Sequence, residues 1–122
     1  MAHTILLVED DPDIREVYST VLRQENYNVI EAANGKDALA LARGSSWDLL
    51  LLDIMIPELD GVSLLKLIKN EPVLKEKPVI MLTNIGNENL ISEAFSFGAE
   101  GYLIKAEITP EKILDEIRSF IK

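Results

Sequence analysis

The chain has 122 residues, 48% of them hydrophobic and 27% charged, which suits one folded domain and excludes a disordered tail or a membrane-embedded protein. Its 21 acidic residues against 12 basic ones leave a net charge of -9, a balance that repels phosphate backbones, so direct nucleic-acid binding is not expected. There is no cysteine, and Met1-Ala2-His3-Thr4 holds neither a basic segment nor an apolar stretch for a signal peptide or a span, so a cytoplasmic location without membrane contact is expected.

Apolar runs near residues 4–8, 27–32, 48–53, 78–82 and 100–104 alternate with stretches of helical period, the pattern of repeated βα units around a parallel sheet. The first helix is expected over Asp13 to Gln24, with Pro12 in its first turn and Ile14, Val17, Tyr18, Val21 and Leu22 facing the core. The second starts near Asn34, turns Ala38, Leu39 and Ala42 inward and stops at Gly44. Leu49 to Leu52 has a composition that a helix could also use. Its brevity, the preceding Trp47-Asp48 and the following Pro57 favour a strand buried on both faces.

The third helix runs from Gly61 to Asn70, with Leu64, Leu65 and Ile68 inward and Pro72 beyond its end. Pro78 is acceptable at the opening of the fourth strand, where a missing N–H does least damage. The fourth helix, about Asn87 to Phe97, presents Leu90, Ile91, Ala94 and Phe95 to the core and closes at Gly98. Thr109 caps the fifth, which turns Ile113, Leu114, Ile117 and Ile121 to the sheet. No linker, repeat or low-complexity segment interrupts residues 1–122, which are expected to form a single domain.

Polar residues follow the apolar runs: Glu9-Asp10, Asp53, Thr83 and Lys105. The carboxyl ends of strands in an open parallel sheet converge on one edge, where ligands bind. There, carboxylates can hold a hard divalent cation, a further carboxylate can accept a phosphoryl group, and a hydroxyl with an ammonium can receive phosphoryl oxygens.

The acidic pair in Val8-Glu9-Asp10-Asp11, the aspartate opening Asp53-Ile54-Met55-Ile56-Pro57-Glu58-Leu59-Asp60-Gly61, then Thr83, then a lysine after a strand together resemble the receiver domain of two-component response regulators. The resemblance runs from about Thr4 to Lys122. It implies a doubly wound, flavodoxin-like sheet of five parallel strands in the order 2-1-3-4-5. It also implies a phosphoacceptor and not an enzyme acting on a separate substrate: Asp53 would take a phosphoryl group from a histidine kinase or phosphotransfer protein. Mg2+ would be held by Asp10, Asp53 and the Met55 backbone carbonyl, with Glu9 reaching it through water. Thr83 and Lys105 would receive phosphoryl oxygens, Thr83 and Tyr102 would form the switch pair, and helix 4, strand 5 and helix 5 would carry the output to a downstream protein.

Each residue also has a plainer reading. Asp11, beside Pro12, is read as a helix cap, and His3 as an exposed terminal residue. Thr83 alone would be a strand-end cap, Lys105 an exposed lysine, and Tyr102 an edge aromatic with a wet hydroxyl. A phosphatase of the haloacid-dehalogenase type also phosphorylates an aspartate after a strand, but Met55 stands where such sites carry a second acid. The sequence departs from the family pattern at Ala106, where a proline in a cis bond is usual, and the state of the Lys105–Ala106 bond stays open, a non-proline cis bond costing ~3–4 kcal/mol. Asn84 replaces a small residue after Thr83 and narrows access to Asp53. Met55 and Ile85, two beyond the acceptor and two beyond the threonine, offer water no strong hydrogen-bond partner, so slow autodephosphorylation is expected.

Between Asn84 and Ile104 the chain carries Glu88, Glu93 and Glu100 and no basic residue, so a salt-bridged dimer on the output face lacks half its partners and a monomer is expected before phosphorylation. A receiver cut from a longer regulator or hybrid kinase, and a pseudo-receiver acting only as an interaction module, are the alternatives. Kinase, signal and output are not encoded in any motif of the chain.

Overall fold

The computed structural model describes residues 2–84 and 88–121. Five strands, β1 (Thr4–Val8), β2 (Asn28–Ala32), β3 (Leu49–Asp53), β4 (Val79–Thr83) and β5 (Gly101–Ile104), alternate with five helices, α1 (Pro12–Gln24), α2 (Gly35–Gly44), α3 (Gly61–Lys69), α4 (Glu88–Ser96) and α5 (Pro110–Phe120). All strand pairs are parallel, in the order β2-β1-β3-β4-β5. This is the doubly wound flavodoxin-like sheet that the resemblance implied.

The two-residue period of a strand decides which helices each side chain meets. In β1, Leu6 and Val8 join Leu50, Leu52, Val79 and Met81 under α2, α3 and α4. Ile5 and Leu7 join Leu49, Leu51, Ile80 and Leu82 under α1 and α5. All five residues of β3 and all five of β4 are buried, which is why these segments read as unbroken apolar runs and not as alternating ones.

Local signals set the helix ends. The Asp11 carboxylate accepts the N–H groups of Asp13 and Ile14, and Pro12 occupies the first turn. Asn34, Asp60 and Thr109 cap α2, α3 and α5 in the same way. Burial disfavours the charged Asp60, yet the Ser63 backbone and hydroxyl bonds outweigh it and hold the carboxyl below the usual range. Gly98 ends the α4 region at φ +104, a left-handed conformation that side chains resist.

Two core assignments require correction. Val17 is 59% exposed and Phe95 42% exposed. On α1 the covered sector is narrow, centred on Tyr18 and Leu22 with Ile14 and Val21 at its margin, and Val17 falls outside it. On α4, Ala94 is buried and Leu90 and Ile91 pack against the core, while Phe95 turns to the sheet edge and meets Tyr102 edge-on at 6.0 Å. His3 is less free than expected: it is half-buried, with Nδ1 3.6 Å from Asp48. The start of the fourth helix at Asn87 lies outside the described residues. Among those described no peptide bond is cis, so the Lys105–Ala106 bond is trans.

Candidate functional site

Register brings the charged residues to one edge. Val8 pairs with Leu52 and Asp53 with Leu82, so the next step along β1 sets Glu9 level with Asp53. Thr83 pairs with Ile104, which leaves Lys105 one step further on. Carboxylate oxygens of Glu9, Asp10 and Asp53 all lie within 4.8 Å of one another. Glu9 and Asp53 are buried and Asp10 is exposed.

Lys105 enters between the two buried carboxylates, its Nζ 2.6 Å from Asp53 Oδ2 and 2.6 Å from Glu9 Oε2. The first contact is an aligned hydrogen bond. The second is a charge contact without hydrogen-bond alignment, which leaves Glu9 Oε2 buried and without an aligned donor. Asp53 Oδ1 accepts the Met55 N–H at 3.0 Å, and Glu9 Oε1 accepts the Asp11 N–H at 3.2 Å.

This set gathers more negative charge than one ammonium offsets. Burial, followed by the Asp53 charge, pushes the Glu9 carboxyl up to about 7 despite its contacts with Lys105 and Asp11. For Lys105, burial works against the charged form, but the hydrogen bond to Asp53 and the close contact with Glu9 outweigh it and raise the ammonium above its ordinary value. Three carboxylates, sharing one ammonium and including a buried Glu9 oxygen that lacks an aligned hydrogen-bond donor, form a donor set that suits a hard divalent cation.

The cluster opens into a cleft of about 490 Å³ whose walls include Ile14, Met55, Asn84 and Ala106. A larger cleft, about 540 Å³, is lined by Arg15, Glu31 and Asp37 beside Ala32, Ala33 and Leu41, but among the described residues only Glu9, Asp10 and Asp53 bring three carboxylates together. Gly61 shapes the loop under the cleft: a Cβ there would collide with the Asp53 carbonyl and Ile54, whereas the glycine N–H bonds the Ile54 carbonyl at 2.9 Å.

Not every residue singled out in the sequence meets the cluster. Thr83 is buried, its Oγ1 donating to the Asn84 carbonyl at 3.1 Å, and it does not line the cleft. Tyr102 is 43% exposed at the sheet edge. Met55 walls the cleft with its side chain 58% exposed; Ile85 lies outside the described residues. Asp11 caps α1 and also supplies Glu9 with its N–H.

Arg15 escaped sequence reasoning. Its Nη1 donates to the Glu9 carbonyl at 2.8 Å. The signal was its place four residues after the cap Asp11, a spacing that carries a long side chain back over the helix start.

The profile of the response regulator receiver domain matches residues 5–118. The transcriptional regulatory protein SrrA of Staphylococcus aureus (strain NCTC 8325 / PS 47) is 32% identical over 122 residues, which are 100% of this chain and 49% of that protein. The chain thus spans about half the length of the curated relatives it matches. Among solved structures, a putative response regulator from Chloroflexus aurantiacus J-10-fl superposes with a TM-score of 0.93 at 32% identity, covering 98% of both chains. The receiver domain of the sensor histidine kinase PA1611 from Pseudomonas aeruginosa PAO1, solved with a magnesium ion coordinated in its active-site cleft, gives 0.90 at 28% identity, covering 99% of this chain and 98% of that one. With this sheet order and a profile match from the first strand into the last helix, the chain belongs to the response regulator receiver domain family of two-component signalling systems.

Proposed function

We propose that this chain is a phosphorylation-activated switch in which Asp53 accepts a phosphoryl group from a phosphohistidine on a partner histidine kinase or phosphotransfer protein. One observation carries the reading. The Asp53 carboxylate is 3% exposed, fixed by the Met55 N–H on one oxygen and Lys105 on the other, at the floor of a cleft it shares with Glu9 and Asp10. An Asp53 oxygen forms a bond to phosphorus as the bond from phosphorus to the imidazole nitrogen breaks, and the electron pair leaves with the imidazole. Lys105 then pairs with a phosphoryl oxygen, and the Thr83 hydroxyl rotates away from the Asn84 carbonyl to donate to another.

Asp10 and Asp53 would hold Mg2+ directly, with the Met55 carbonyl, and Glu9 would reach it through water. Bound there, the ion supplies positive charge against the carboxylates and the transferring group. The three gathered carboxylates, the buried Glu9 oxygen without an aligned hydrogen-bond donor and the magnesium in the Pseudomonas relative support this assignment. Met55, which walls the cleft, offers attacking water no strong hydrogen-bond partner, so slow autodephosphorylation is part of this reading.

The output surface in this reading is the face of α4, β5 and α5, where Tyr102 packs on Phe95. Two acids of the segment from Asn84 to Ile104 already have partners in the same chain, Glu93 of α4 at 3.6 Å from Lys66 and Glu100 just before β5 at 3.0 Å from Lys69, which favours a monomer before phosphorylation. No described helix is long and apolar enough to cross a membrane, and the absence of cysteine suits a cytoplasmic protein. Residues 1–122 act as one receiver domain. The length of SrrA favours, as a second reading, a receiver joined to an output domain, and the length of the whole gene decides between the two.

Incubation with acetyl phosphate and Mg2+, followed by mass spectrometry, tests the acceptor. A labile phosphoryl mass gain is expected in the wild type and none in Asp53→Asn, which keeps the size of the side chain but loses the nucleophilic oxygen. Undiminished incorporation in the variant would move the acceptor elsewhere. No incorporation in either protein would favour an interaction module over a switch.

A further inference from the structure

We infer that Arg15 is a positioning residue for the acid cluster, holding the Glu9 peptide so that the carboxylates of Glu9 and Asp10 face Asp53. The inference rests on the reading of that cluster as a Mg2+ site. Glu9 lies one residue beyond β1, and its N–H still reaches the Ala32 carbonyl at 3.1 Å. Its own carbonyl accepts from the Arg15 guanidinium at 2.8 Å.

The same guanidinium is fixed from its other side. Arg15 Nε lies 3.3 Å from Glu31 Oε1, and Glu31 Oε2 accepts from Ser19 at 3.3 Å and from Arg23 at 3.2 Å. A guanidinium that hydrogen-bonds the Glu9 carbonyl with one nitrogen and ion-pairs Glu31 of β2 with another therefore clamps the turn between β1 and α1, which a flexible point charge would do less well. Asp10 has no side-chain hydrogen bond or ion pair among the described residues. Its direction follows from the peptides on either side, pinned at Glu9 by Arg15 and at Asp11 by the Glu9 carboxylate.

Partners that orient metal ligands without touching the metal commonly contribute 10–100-fold to affinity. Acting through a backbone carbonyl, Arg15 belongs at the low end of that range. Titration calorimetry with Mg2+ on the wild type, Arg15→Ala, Arg15→Lys and Ile117→Val tests the inference. Ile117 is fully buried in the α1 and α5 layer, so its truncation is a destabilising control remote from the acids.

Arg15→Ala is expected to weaken Mg2+ binding about tenfold, Arg15→Lys to recover only part of that, and Ile117→Val to bind as the wild type does. Amide hydrogen exchange in the absence of metal should quicken at Glu9, Asp10 and Asp11 in Arg15→Ala, with β4 unchanged. Affinity within twofold of wild type in both Arg15 variants would overturn the inference while leaving the metal site intact. Should Arg15→Ala fail to fold, Arg15→Lys decides alone. A wild type that binds no Mg2+ would overturn the reading of the site and this inference with it.

Discussion

Two lysines, each about one-tenth exposed, sit at opposite ends of the sheet, and their surroundings differ in one respect. Lys69 donates to the carbonyls of Lys75 and Lys77 and to both oxygens of Glu100, while Glu100 also accepts the Val79 N–H. Every charge and donor there has a partner. Lys105 stands between Glu9 and Asp53 with Asp10 close by, and one Glu9 oxygen stays without an aligned donor. A satisfied polar knot fastens a fold, whereas an unsatisfied one is poised to take up a cation or a phosphoryl group.

The comparison breaks most sharply if the two ammonium groups are removed in turn. Lys69→Met keeps the stem but strands two carbonyls and Glu100, and should lower stability by about 2–3 kcal/mol, discounted from a fully buried pair because Glu100 is partly exposed. Lys105→Met should cost less, since Glu9 can take up a proton when its cation is lost. Urea unfolding of both variants measures the difference. Equal losses would mean that the two ends are built alike.

The pH dependence sharpens the same contrast. In the folded chain the Glu9 carboxyl is raised to about 7 from an ordinary 4.5, so between these values the folded state binds more protons than the unfolded one. Stability from this group is therefore present at low pH and lost as pH rises through that window. Glu9→Gln should flatten that part of the stability profile measured by denaturant unfolding. An unchanged slope would show that Glu9 ionises at its ordinary value.

A smaller effect lies in the loop beneath the cleft. Glu58 adopts φ 72, a left-handed conformation that costs an ordinary residue about 1 kcal/mol. Glu58→Gly removes that strain but frees the unfolded chain, so a net gain of about 0.5 kcal/mol is expected in thermal unfolding. A loss would mean that the glutamate side chain holds the loop.

Residues whose partners are near in sequence were legible before the fold. The caps Asp11 and Thr109 bind N–H groups within three residues, and β3 declared its two-sided burial by an unbroken apolar run. The order of the strands came from the family resemblance, because apolar periodicity does not say which strands are neighbours. Val17 and Phe95 were misread since a helical stripe of four or five apolar residues is wider than the sector these helices bury. Lys69 was overlooked because Glu100 lies 31 residues away and its other partners are backbone carbonyls, which no motif records. Arg15 was missed for the second of those reasons, its partner being a peptide oxygen.

The carboxyl end of the sheet gathers three carboxylates around one ammonium, an excess of negative charge that a divalent cation answers. Melting temperature against millimolar Mg2+, in the wild type, Asp10→Asn and Lys69→Met, tests it most directly. A ligand at free concentration c that binds only the folded state stabilises it by RT ln(1 + c/Kd), so at a fixed Mg2+ concentration the midpoint rises further the tighter the site binds. The midpoint should rise in the wild type, rise by a similar amount in Lys69→Met from a lower start, and rise much less in Asp10→Asn. Equal rises in wild type and Asp10→Asn, or none in any of the three, would contradict the claim.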